Sequence, residues 1–227
     1  MSDSQPVESH PAPNEQSTID LLGLMAYGEL SAFERLAYDA RFSPTLADRK
    51  MLGALAVSEF EHFERVSAAL GSLGADVDQA MEPFRASVDF FHERTRPADW
   101  YESLMKAYVA DSVSSDFYRE VADFLPESAR EVVQSILSDA HSGDQLRDRL
   151  RRALDEDPRL SSRLALWGRR LVGEALTQAQ RIAIERAVLM GLGVDQHPEL
   201  AAAISTPLMA RLTQNHSRRM SELGLTA

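Results

Sequence analysis

The chain has 227 residues, 44% hydrophobic and 26% charged, with a formal net charge of −11 and no cysteine. That length supports one large domain with a well-buried core, and the lack of cysteine excludes disulfides, thiolate metal sites and a thiol nucleophile. No apolar run approaches the roughly 18 residues that cross a bilayer, so a cytoplasmic protein with no membrane association is expected.

Charge is unevenly spread. Residues 1–140 carry 25 acidic against 11 basic residues, whereas residues 141–187 carry 10 Arg against 7 acids. A phosphate-binding chain is usually basic overall. Here only the local run Arg147, Arg149, Arg151, Arg152, Arg159, Arg163, Arg169 and Arg170 could meet nucleic acid, and a solvated helical face explains it as well.

Residues 1–17 are polar and Pro-rich and read as a disordered tail, leaving 18–227 as a single helical domain. From there apolar residues recur at steps of three and four, and Pro and Gly mark the ends of segments. The first helix is expected from about residue 17 to 42, with Leu22, Met25, Glu29, Ala32, Phe33, Leu36 and Ala40 inward. Ser43-Pro44 reads as an N-cap followed by Pro at the first helical position, opening a second helix over 44–73. Residues 74–97 contain Pro83 and Pro97 and suggest a crossover with one short helix around 84–91. Third and fourth helices are expected over 98–125 and 127–154, a fifth over 158–190 and a sixth over 198–223. Two tight hairpins joined by a long crossover is the connectivity of a ferritin-like four-helix bundle, here with two further C-terminal helices. Those two either cover the bundle or pair with a second copy to make a homodimer.

Acidic residues interrupt the apolar seams. The second helix would turn Leu52, Leu55, Glu59, His62, Val66, Ala69 and Leu73 inward. A buried unpaired carboxylate costs several kcal/mol or takes up a proton, so Glu59 and His62, three residues apart in the seam, need a partner. A metal ion suits both; a buried ion pair, with a Tyr such as Tyr108 nearby, also fits. Glu29 interrupts the first seam, Asp111 the third between Tyr108 and Tyr118, and Asp139 the fourth. No Gly-rich phosphate loop, Gly-x-Ser-x-Gly elbow or zinc pattern is present. Glu174 in the fifth helix reads as a structural ion-pair partner.

The segments LMAYGE29LSAFER, E59FEH62, KAYVAD111 and DFYRE120 resemble the ferritin-like diiron-carboxylate superfamily over about residues 18–225, and within it the tRNA hydroxylase-like group. Members of that group hydroxylate an isopentenyl-adenosine modification of tRNA with dioxygen. The resemblance implies two iron ions, an electron-donor protein, and either tRNA or a small apolar substrate. It makes Glu29 the terminal carboxylate of the first metal, Glu59 the bridge, His62 that metal's nitrogen ligand, Asp111 the counterpart of a usual Glu, and Asp139 the second bridge. The residue three after Asp139 should be His but is Ser142. His141 stands one place early, about 100° around the helix, and only local unwinding would bring it to the metal. Tyr108, Tyr118, Phe33 and Phe63 are the expected pocket walls. The competing expectation is a ferritin-like scaffold whose site holds one metal or none.

Overall fold

The computed structural model describes residues 15–123, 125–139, 141–189 and 198–226, and their side chains except at 141–142, 183–189 and 198–206. Among these residues the chain forms eight helices and no strand: α1 (Glu15–Ala40), α2 (Leu46–Ser72), α3 (Val77–Arg94), α4 (Trp100–Ala122), α5 (Glu127–Ser138), α6 (His141–Glu156), α7 (Leu160–Leu189) and α8 (Pro198–Glu222). Most of the expected tail, residues 1–14, lies outside the described residues; residues 15–17 already belong to the first turn of α1.

The fold is the all-α, ferritin-like arrangement that the spacing predicts. Helices α1 and α2 pack as a hairpin, and α4 with α5 and α6 forms the second. Helices α1 and α4 run antiparallel, since Asp39 near the end of α1 accepts a hydrogen bond from Ser103 near the start of α4, while Gly28 lies against the Tyr118 hydroxyl farther along α4. Helices α7 and α8 cover α4. Trp167 Nε1 donates to the Glu102 carbonyl at 2.9 Å, and Arg219 holds Asp116 at 2.6 and 2.7 Å.

Three local expectations change. The α2 N-cap is Thr45, not Ser43: the Thr45 side chain accepts from the Asp48 amide at 3.0 Å, satisfying a donor at the helix start. The crossover is an 18-residue helix, not a short one. Asp76 caps it, and it continues through Pro83 because Ala80, Met81 and Phe84 are buried. Proline forfeits one helical hydrogen bond, and tertiary burial offsets that loss. The close approach to α1 depends on Gly23, where an added Cβ would lie 2.2 Å from the Ala80 carbonyl oxygen.

The expected fourth helix is broken in two. Ser135 and Ser138 hydroxyls donate to the carbonyls of Val132 and Ser135, and the Asp139 amide bonds to Ile136 in a tightened last turn. Hydroxyls that compete for backbone carbonyls weaken continuation of a helix. Helix α5 ends at Ser138, and α6 starts afresh at His141.

The core has two parts. Leu22, Met25, Val66, Leu70, Met81, Tyr118, Val133 and Ile136 belong to one, and Leu36, Leu52, Leu55, Leu104, Tyr108, Leu150 and Leu171 to the other. Along α1 and α2 the division falls at Glu29 and at Glu59 and His62; along α4 it falls between Val113 and Tyr118, just past Asp111. The waist of the bundle is therefore polar. No helix among the described residues is long and apolar enough to cross a membrane.

Candidate metal centre

Glu59 and His62 are 8% and 9% exposed, so the seam of α2 does carry them into the interior. His62 Nδ1 stands 3.4 Å from Glu29 Oε2 on α1 and 3.6 Å from Glu59 Oε2. One donor atom from each of the three side chains can be chosen so that all lie within 4.8 Å of one another. Among the described residues this is the group of three or more His and carboxylate side chains able to hold a metal.

The electrostatics show strain without a cation. Burial pushes the Glu29 carboxyl up, and a hydrogen bond with Glu59 adds to this, outweighing the opposite pull of His62. Burial also acts on Glu59, but its hydrogen bonds to His62 and Glu29 outweigh that and hold it low. The two carboxylates outweigh burial at His62 and push the imidazole up to about 9. Three buried groups thus share protons that a divalent cation would displace.

Asp111 comes from the facing helix α4. Its carboxyl is pushed up to about 7, first by burial and then by the charge of Glu59. A Cβ added at Gly143, in the first turn of α6, would lie 3.6 Å from Asp111 Oδ2, so α6 begins beside this carboxylate. Tyr118 is buried, and that burial together with the charges of Glu29 and Glu59 raises its hydroxyl pKa.

Asp139 behaves differently. The end of α5 leaves its side chain 50% exposed, and Arg65 Nη2 holds Oδ2 at 2.5 Å. The Asp139 expected in the seam is thus half exposed, and its carboxylate lies 3.8 Å from His62 Nε2. The His141 side chain lies outside the described residues.

The three-residue cluster opens on a cavity of about 900 Å³ lined by Met25, Leu36, Leu55, Phe91, Val113, Phe117 and Tyr118 among others. Of the expected walls, Tyr118 is there. Tyr108 packs in the second core instead, and Phe33 and Phe63 both stack on Phe60, with ring centroids 5.1 and 5.6 Å apart.

The model of a ferritin-like domain family of actinomycetes matches residues 13–196, most of the chain. The chain belongs to that family. The match begins before α1 and runs past α7, so it takes in every helix that contributes to the cluster. A solved structure, "Protein 19 with aldehyde deformylating oxidase activity from Synechococcus", superposes with a TM-score of 0.70 at 19% identity, covering 94% of this chain and 92% of that one. At that identity the likeness is one of fold. No curated protein matches the sequence.

Within this ferritin-like chain the residues present fit one metal ion. Two carboxylates and an imidazole are hard or borderline donors that suit iron or manganese, and each carboxyl is buried where an unpaired charge is costly. For a second ion the described residues add Asp111 and Asp139, and Arg65 already neutralises the latter.

Sequence periodicity missed three features of the site. Arg65 lies one turn beyond Glu61 on α2 and reads as a surface residue. Lys106 sits among Met105 and Ala107 and is nonetheless only 8% exposed. The spacing leaves His92 in the crossover after its short helix, whereas it lies in the last turn of α3 and faces the cavity.

Proposed function

We propose that this protein binds iron through Glu29, Glu59 and His62 and oxidises a small, largely apolar molecule held in the adjoining cavity. The observation that carries the reading is the direct opening of a buried carboxylate–imidazole cluster onto a cavity of about 900 Å³ with a mostly apolar wall. Iron in such a donor set supplies activation of dioxygen. The chain's own residues do the rest. Glu29 and Glu59 give the negative charge that retains a cation. His62 must lose its proton to bind, and that proton leaves the site while both carboxylates stay charged. Met25, Leu36, Leu55 and Tyr118 exclude water and position an apolar ligand beside the cluster.

A small molecule is favoured over tRNA because much of the Arg-rich surface is engaged internally. Arg149 pairs with Asp48 at 2.6 Å, Arg163 with Asp99 and Glu102, Arg151 with the Glu222 carbonyl and Arg170 with the Arg94 carbonyl. The name of the Synechococcus structure, which includes aldehyde deformylating oxidase activity, agrees with oxygen chemistry on this fold. A second reading, a single-metal or metal-free scaffold, is favoured by the Arg65–Asp139 pair.

Anaerobic Fe(II) titration followed by measured oxygen consumption separates the two. The oxidase reading predicts saturable iron binding and oxygen uptake in the wild type, both lost in Glu59→Ala. Binding of one iron without oxygen uptake would support the scaffold, and no binding above the variant's background would refute both metal readings.

A further inference from the structure

The metal cluster occupies one stretch of the cavity wall; a separate group of cations lines another. Lys106 on α4 is 8% exposed, and its ammonium bonds only to the His92 carbonyl, at the long distance of 3.5 Å, while lying 5.5 Å from the Phe91 ring. Among the described residues no carboxylate lies within ion-pair distance of Lys106 or of Arg35, a neighbouring cation on α1 that also lines the cavity. His92 Nδ1 is buried without a hydrogen-bond partner. Of the acids on the cavity wall, Asp39 accepts a hydrogen bond from Ser103 and acts on Lys106 only through its charge from beyond ion-pair distance, and Asp99 pairs with Arg163.

A buried ammonium without a counter-ion is costly, and proteins pair such groups or lose the proton. Burial, aided by the charge of Arg35, lowers the Lys106 amine to about 7. Burial likewise keeps His92 neutral, so its ring nitrogen can donate without adding charge. Lys106 is therefore buried with no ion-pair partner among the described residues and the exposed Arg35 beside it, in a cavity whose wall is mostly apolar and also carries Asp39, Glu93, Arg96 and Asp99.

Their position relative to the metal cluster is fixed by helix geometry. Arg35 lies six residues beyond Glu29 on α1, and Lys106 five residues before Asp111 on antiparallel α4. At 1.5 Å per residue both separations are about 8–9 Å along the bundle. The same cavity is lined by both groups. We propose that Lys106, Arg35 and His92 form a second binding site, for the anionic head of a single-chain amphiphile whose apolar body runs along the cavity toward Glu29 and Glu59. The substrate class of the proposed oxidase is then an anionic amphiphile attacked at a carbon remote from its head; only that last step rests on the proposed function.

The test uses metal-free full-length protein at pH 6.5, with tryptophan fluorescence as the readout because Trp100 lines the cavity. Decanoate, decyl phosphate and 1-decanol are titrated into wild type, Lys106→Met and Arg35→Gln. The wild type should bind at least one of the two anions about tenfold or more tightly than the alcohol, and the tighter anion identifies the head as carboxylate or phosphate. Lys106→Met should bring that preference close to one while still binding decanol. Arg35→Gln, at a surface position that does not threaten folding, should reduce it several-fold. Equal affinity for anion and alcohol in the wild type, or a preference untouched by both substitutions, overturns the proposal. With no metal present, a negative result here leaves iron binding intact, and a failed iron titration leaves the anion preference standing.

Discussion

An imidazole must give up its proton before a metal can take its place, and His62 is held in the opposite state by Glu29 and Glu59. Metal binding should therefore release protons, and affinity for Fe(II) should rise with pH up to about 9, where His62 and the raised Glu29 carboxyl have been deprotonated. Titration of Fe(II) or Mn(II) at several pH values checks this; affinity that is flat between pH 6 and 9 would contradict it. Asp111 gives a matching prediction for the metal-free protein. Its folded carboxyl is raised to about 7 above the ordinary 3.8, so the folded state holds a proton that the unfolded chain has lost, and stability falls as pH rises from about 4 to 7. Asp111→Asn should remove that fall and stabilise the metal-free protein at pH 8 by roughly 1–3 kcal/mol, with little effect at pH 4, as read by denaturant unfolding. Glu29, Glu59, His62 and Asp111 were legible in the sequence because each breaks an apolar seam at helical spacing. Lys106 was not, because one Lys within a helix gives the same signal whether its ammonium meets solvent or a cavity.

At the scale of elements, two glycines make a useful contrast. Gly23→Ala would drive a methyl group to 2.2 Å from the Ala80 carbonyl oxygen, and since the obstacle is backbone, α1 and α3 must separate. A loss on the order of 2–4 kcal/mol is expected. Gly168→Ala meets the Met220 and Met105 methyl groups at 2.7 and 3.0 Å; flexible thioether ends can move, and a loss near 1 kcal/mol or less is expected. Thermal unfolding of both variants would check the order. Helices α2 and α6 are clamped by Arg149 and Asp48, both well buried. Burial pushes the Asp48 carboxyl up, but the bonds from Arg149 and Thr45 outweigh it and hold it low. The pair's stabilisation is therefore present above the ordinary carboxyl pKa and is lost as pH falls through and below it. Asp48→Asn should cost about 1–3 kcal/mol at pH 7 and much less at pH 3. The helical class and the hairpin pattern were readable from periodicity and connection lengths. The α5–α6 break was not, because apolar spacing runs on through Val132, Ile136, Leu146 and Leu150, and serine hydroxyls bonding back to carbonyls leave that spacing intact. Pro83 misled in the other direction: a local helix breaker was outweighed by burial against α1.

For the molecule as a whole, the polar waist between two apolar cores decides what the fold can do. Four helices each contribute to a well-packed bundle, yet three of them place acids at the same height, where they weaken the metal-free protein and prepare it for a cation. Metal should then stabilise the entire bundle. At a free concentration one hundred times Kd, Fe(II) or Mn(II) should add about 2.7 kcal/mol, raising the midpoint of thermal unfolding by roughly 5–10 °C in the wild type and not in Glu59→Ala. Placement of the metal is the most direct question of all, and anomalous X-ray scattering from crystals grown with Mn(II) or Fe(II) answers it. The account predicts a peak enclosed by the Glu29, Glu59 and His62 side chains. A peak elsewhere, or ordered metal-free density with His62 still bridging the two carboxylates at saturating metal, would contradict it.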